Sequence, residues 1–210
     1  MFFDYPSDDF LNFLIAQKNL EYLWLLNQNF TQINWRKLKV VKSRLKTLKL
    51  FKIGITKVEN FTNFIDNHAD TLTHIELCYC APISILNCLK NVKVKKLTFK
   101  WNEPDDDEYD VLKNVEILKI SVISSFDLAD KFPNLTKAGV HVKSNQNNSK
   151  LGKFEKLTHL RVGGCIIHDL TVSASTKFIH FYDYSFSDMP NFEQFNLNEM
   201  ELIKCKNVGW

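Results

Sequence analysis

Apolar residues recur along this chain in one short local pattern. Leu72-Thr-His-Ile75-Glu-Leu77-Cys-Tyr-Cys80 puts apolar side chains at its first, fourth and sixth positions and cysteine at its ninth. The spacing returns at Leu157/Leu160/Val162 with Cys165, and at Leu197/Met200/Leu202 with Cys205. Degenerate copies lie between: Leu20/Leu23/Leu25, Leu45/Leu48/Leu50, Val94/Leu97/Phe99 with Asn102, and Val115/Leu118/Ile120. Leu135/Ala138/Val140 and Thr176/Ile179/Phe181 are weaker versions. First positions therefore fall at 20, 45, 72, 94, 115, 135, 157, 176 and 197. Apolar fourth and sixth positions alternating with polar neighbours predict one short strand per copy, with one side buried and one exposed. Helix-like stretches are predicted between strands. Ser7-Asp8-Asp9-Phe10 carries an N-cap signal ahead of Phe10, Leu11 and Leu14 on one face. Glu59 to Asp70 has Phe61, Phe64 and Ile65; Pro82 to Asn91 has Ile85, Leu86 and Leu89; Asp105 to Lys113 is a fourth candidate.

The period and the residues at fixed positions resemble leucine-rich repeats, from about residue 15 to the C-terminus. The resemblance implies an α/β fold: a single domain over 1–210, a horseshoe or arc of about nine repeats, with a concave parallel sheet and convex helices or irregular turns. It also implies that the ninth-position residues Cys80, Asn102, Cys165 and Cys205 hydrogen-bond neighbouring backbone as a structural ladder. The 17 Phe fit the interior of such a coil. Neither end looks capped, so the expectation is a piece of a longer repeat protein or a chain whose ends pack on a partner. Irregular repeats ending in Cys, with Asn19-Leu20-Glu21-Tyr22-Leu23 and Pro133-Asn134-Leu135-Thr136 leading into strands, resemble the repeat half of F-box/leucine-rich repeat proteins. Those are substrate receptors of cullin-based ubiquitin ligases, so the resemblance implies non-enzymatic recognition of a protein partner or substrate. No F-box helical segment precedes these repeats, so a ligase adaptor would be reached through a missing N-terminal region.

In a strand of this pattern the intervening positions face the concave groove. The central one is occupied by Trp24, Lys49, Glu76, Thr98, Lys119, Gly139, Arg161, His180 and Glu201. Two residues earlier stand Tyr22, Thr47, His74, Lys96, Ile117, Lys137, His159, Phe178 and Glu199. Candidate partner-binding residues are Tyr22, Trp24, Lys49, His74, Glu76, Lys96, Lys119, Lys137, His159, Arg161, Phe178 and His180. An aromatic anchor beside charge is the composition of protein-recognition surfaces.

Charge adds an alternative. Formal net charge is only +3, and of the 27 basic residues only Arg36, Arg44 and Arg161 are arginine, the side chain suited to phosphates and base edges. Nine basic residues and no acidic one lie between Arg36 and Lys57. That segment could bind nucleic acid or an acidic partner, with nucleic acid the weaker reading. Asp105 to Glu108 suits a helix N-terminus better than a calcium loop.

His74, Cys78, Cys80 and Cys88 lack a paired CxxC, and alternation puts Cys78 and Cys80 on opposite sides. No nucleophile, phosphate-loop or zinc-protease motif appears, so no enzyme, metal or cofactor is expected. With 45% hydrophobic residues the chain can build a core and is not disordered. Five Cys, an odd number, fit a reducing compartment. With no secretory signal and no apolar run near the ~18 residues of a membrane span, the expectation is a cytoplasmic or nuclear protein.

Overall fold

The computed structural model describes residues 8–26, 33–38, 43–81, 83–100, 109–122, 128–142, 154–164, 174–183 and 196–205. The chain divides into two compact units. One holds Met1–Trp101 with Asp107–Asp110, the other Asn102–Asp106 with Val111–Trp210.

In the first unit, strands β1 (Tyr22–Leu26), β2 (Thr47–Phe51), β3 (His74–Cys78) and β4 (Lys96–Lys100) pair in parallel and in sequence order. The register aligns the repeat: Leu23, Leu48, Ile75 and Leu97 form one cross-strand row, Leu25, Leu50, Leu77 and Phe99 the next. All eight are buried. Behind them lie helix α1 (Asp8–Ala16), the short α2 (Trp35–Leu38), α3 (Val58–Asp66) and a 3-10 helix over Ile83–Leu89. Leu11 and Leu14 of α1 are buried, as are Phe61, Phe64 and Ile65 of α3. The Trp35 ring meets Phe61 edge-on at 4.8 Å and Phe64 at 5.3 Å, joining α2 to α3.

Strands β5 (Ile117–Val122), β6 (Lys137–Val142), β7 (His159–Gly163), β8 (Phe178–Tyr182) and β9 (Glu199–Ile203) repeat the arrangement in the second unit, with the short helix α4 (Leu128–Lys131) between β5 and β6. Leu118, Ala138, Leu160 and Ile179 share one buried row; Ile120, Val140, Val162 and Phe181 share the other. Strand β9 departs from the expected pattern, since Met200 is exposed and Leu202 half-buried. Its only described neighbour is β8, whereas at β1 the side chains of Leu23 and of Leu14 on α1 line one small cavity.

One hydrogen-bond device begins nearly every strand. The carbonyl of Glu21 accepts from the N–H groups of both Lys46 and Thr47, that of Lys46 from Thr73 and His74, and that of Thr73 from Lys95 and Lys96. Glu116, Thr136, Thr158 and Lys177, each at the entrance of one strand, do the same for the entrance of the next strand, β6, β7, β8 and β9 in turn. Identical bonding at equivalent positions means each copy is one structural unit stacked on the next, and it pairs the backbone groups at the strand entrances.

A second device ends the strands. Lys52, Tyr79, Gly164, Asp183 and Lys204, all at the eighth position of their copies, have positive φ between 49° and 91°. This left-handed residue turns the chain inward ahead of the ninth position. It costs a non-glycine residue on the order of 1 kcal/mol, and only Gly164 is free of that cost. Asp183→Gly and Lys204→Gly are each expected to raise stability by about 0.5–1 kcal/mol, read as a higher urea midpoint. A lower midpoint for both would contradict the strain assignment.

Two expectations for the connections change. Within 82–91 the helix is a 3-10 helix over Ile83–Leu89, whose buried residues, Ile83, Ile85, Leu86, Cys88 and Leu89, recur every three positions. That spacing matches three residues per turn rather than 3.6. Within 105–113 the described part, 109–113, is not helical. The Asp110 N–H donates to Asn87 Oδ1 at 2.6 Å and the Leu112 N–H to the Lys131 carbonyl, so contacts from distant segments replace helical bonds. Ser7 and 105–108 lie outside the described residues. Among the described residues no helix is long and apolar enough to cross a membrane.

Candidate functional site

Alternation within the strands leaves each unit a sheet face opposite its core. In the first unit that face has three cross-strand rows: Tyr22, Thr47, His74 and Lys96; Trp24, Lys49, Glu76 and Thr98; Leu26, Phe51, Cys78 and Lys100. Trp24 is 60% exposed, Leu26 58% and Tyr22 48%, while their strand neighbours Leu23 and Leu25 are buried. The middle of the face is polar. Lys49 Nζ lies 2.9 Å from Glu76 Oε1, and its ammonium stands 5.9 Å from the Tyr22 ring centroid. His74 Nε2 is 3.1 Å from the same carboxylate oxygen, but out of line for a hydrogen bond.

These neighbours set the charges. The Glu76 hydrogen bond holds the Lys49 ammonium above its usual range. Burial pushes the Glu76 carboxyl up, but its bond to Lys49 and the nearby positive charges outweigh burial and hold it below the usual value. Burial, then the charge of Lys96, hold the His74 imidazole below 6.5, so it is neutral at neutral pH.

The second unit's face is built differently. Its rows run Ile117, Lys137, His159, Phe178 and Glu199, then Lys119, Gly139, Arg161, His180 and Glu201, then Ser121, His141, Gly163, Tyr182 and Ile203. Phe178 stacks on His159 at 4.3 Å and 16° between planes, and Tyr182 on His141 at 5.7 Å and 14°. The Arg161 guanidinium sits 4.6 Å from the Tyr182 ring centroid. Gly163 makes this possible, because a Cβ there would stand 2.4 Å from the Tyr182 ring. His180 Nδ1 is 2.6 Å from Glu201 Oε2, and its Nε2 is 3.6 Å from Glu199. Burial, then Lys137, lower the His159 pKa; burial raises that of Tyr182, with Arg161 partly opposing. Tyr182 thus has both a stacked imidazole and a guanidinium against its ring, and His159 and Phe178 each give one ring face to the other.

No protein-family model and no curated protein matches the chain.

All twelve candidate residues lie on these two faces, six on each: Tyr22, Trp24, Lys49, His74, Glu76 and Lys96, then Lys119, Lys137, His159, Arg161, Phe178 and His180. Of the third row, alternation in the sequence assigns Cys78 to the groove, while Leu26, Phe51, His141 and Tyr182 are not among the candidates. Carrying the alternation one step further, to the seventh position, is the signal that finds them.

Of the proposed ladder residues, Asn102 and Cys165 lie outside the described residues. Cys80 is buried, and its Sγ donates to the Leu50 carbonyl at 3.3 Å and the Cys78 carbonyl at 3.2 Å. Burial pushes its thiol up to about 11, which keeps the donor proton in place. Among the described residues, half-exposed Cys205 reaches the Ile203 carbonyl of its own strand, at 3.7 Å, and no neighbouring strand. Cys78 is buried although it belongs to an exposed row.

The basic run does not form one face. Arg36 and Lys37 ride on α2, Lys46 pairs with Glu21 at 2.7 Å, and Lys49 is held by Glu76. Lys52 stands over the Phe51 ring, and Lys39 and Lys42 lie outside the described residues. Among the described residues no group of three or more His, Cys, Asp or Glu side chains could hold a metal ion.

Proposed function

We propose that the chain is a non-enzymatic leucine-rich repeat module that binds a protein partner on its exposed strand faces, as the substrate-recognition part of a ubiquitin ligase complex. The observation that carries the binding reading is the strip Tyr22, Trp24 and Leu26, three large apolar side chains about half or more exposed on one side of one strand. Beside it lies an ordered Lys49–Glu76 pair. Exposed aromatic anchors next to charge mark protein interfaces. Repeat membership is supported by the common register, by the recurring carbonyl that accepts two N–H groups, and by the Cys80 bond to the preceding strand. The ligase assignment rests on sequence resemblance alone.

The test is titration of a purified partner, recovered with the intact chain, against one variant set per face. Trp24→Ala, or Lys119→Ala with Arg161→Ala, is expected to weaken binding at least about tenfold, the loss of one interface anchor. A partner whose affinity is unchanged by all three substitutions overturns the reading. For the ligase role, ubiquitylation of that partner is expected to fall in parallel with binding.

A further inference from the structure

Resting on the partner-binding reading, we infer that the first unit's exposed strand face takes an acidic polypeptide segment carrying a large apolar anchor. The two ends of the face differ in chemistry. At β1 stand Tyr22, Trp24 and Leu26, with Phe51 beside Leu26 in register. At β4 stand Lys96 and Lys100, neither in an ion pair among the described residues. The strand residues of this face include one carboxylate, Glu76, already held by Lys49 at 2.9 Å. With Lys49, Lys96 and Lys100 against Glu76, and His74 neutral, the face carries an excess of positive charge concentrated at β4. A partner that fills it brings apolar surface to β1 and negative charge to β4.

The spacing follows from sheet geometry. Three interstrand steps of ~4.8 Å separate β1 from β4, roughly 14 Å. An extended peptide crossing the strands covers that distance in about four residues at ~3.3 Å each. The expected ligand thus has its apolar anchor and its carboxylates four or five residues apart. Nucleic acid fits less well, because this face has no arginine and three of its exposed side chains, Tyr22, Trp24 and Leu26, are large and apolar.

Fluorescence anisotropy of the full chain with synthetic peptides tests this. One peptide carries a Leu-Trp-Leu block, a short Ser/Gly spacer and a Glu-Asp-Glu block; its counterpart has Gln-Asn-Gln, and a single-stranded oligonucleotide serves as the competing polyanion. The acidic peptide is expected to bind at least about tenfold tighter than the neutral one. Lys96→Gln with Lys100→Gln removes that advantage, and Trp24→Ala weakens both peptides alike. Equal binding of the two peptides, both sensitive to Trp24→Ala, overturns the charge preference and leaves the docking face standing. Tighter binding of the oligonucleotide than of the acidic peptide, lost in the double lysine variant, overturns the inference in favour of nucleic acid. Binding indifferent to Trp24→Ala overturns both the inference and the face. If no peptide binds while a purified partner still depends on Trp24, the inference falls and the reading survives.

Discussion

Phe61→Ala is expected to cost the first unit about 3–5 kcal/mol, whereas Phe13→Ala should change stability by less than about 0.5 kcal/mol. Both are phenylalanines on helices of the same unit, and their surroundings differ completely. Phe61 is fully buried on α3, edge-on to Trp35 at 4.8 Å and 6.4 Å from Phe64. Phe13 on α1 is 60% exposed. Truncating Phe61 removes the apolar surface it buries and leaves a cavity. Its neighbours on α2 and α3 cannot close that cavity without moving the Trp35 ring. A loss of that size is a large fraction of the 5–15 kcal/mol that holds a typical domain. Urea unfolding followed by circular dichroism checks it. A Phe61→Ala midpoint close to that of Phe13→Ala would show that α3 does not hold this unit together.

The strands were legible because burial of a parallel strand is written in its fourth and sixth positions. Leu48/Leu50, Ile75/Leu77 and Leu118/Ile120 fall in the buried rows the spacing places them in. What the spacing could not show is conformation set by contacts far along the chain. Lys52, Tyr79, Asp183 and Lys204 adopt a left-handed backbone although their side chains do not favour it. The N–H groups of Lys52, Tyr79 and Asp183 are drawn to carbonyls at the end of the next strand, Cys78, Lys100 and Ile203. Similarly, nothing local in Tyr109–Lys113 discloses that Asn87 and Lys131 take its backbone bonds. The candidate faces were partly legible: period-two alternation identified two rows of each. The contacts within them needed coordinates. That Arg161 lies over Tyr182 depends on Gly163 having no side chain two strand positions away.

Acid should destabilise the first unit through one core histidine, and His68→Leu should remove that part of the effect. His68 is 1% exposed, packed edge-on to Phe64 at 5.0 Å, and among the described residues neither ring nitrogen makes a well-formed hydrogen bond. Burial holds its pKa below the ordinary 6.5, with the nearby backbone of Ser43 only partly opposing. The unfolded chain therefore takes up a proton at a pH where the folded one does not. Stability from this group is complete above pH 6.5 and is lost as pH falls from there through the folded pKa. His74 and His159, also lowered, act with the same sign, and Glu76 extends the loss below its ordinary 4.5.

Leucine at 68 leaves no titrating group and no unsatisfied nitrogens, beside a small cavity lined largely by Leu14, Leu20, Leu23, Leu38 and Leu45 that can accept its methyls. The variant is expected to gain about 1–3 kcal/mol near neutral pH, the cost of an unsatisfied buried polar group. Its stability should also fall less than that of the parent between about pH 7.5 and pH 5. Urea midpoints at the two pH values measure both effects. Parallel losses in parent and variant would assign the acid sensitivity to the other lowered histidines, His74 and His159, which lie on the strand faces and can be replaced without opening the core.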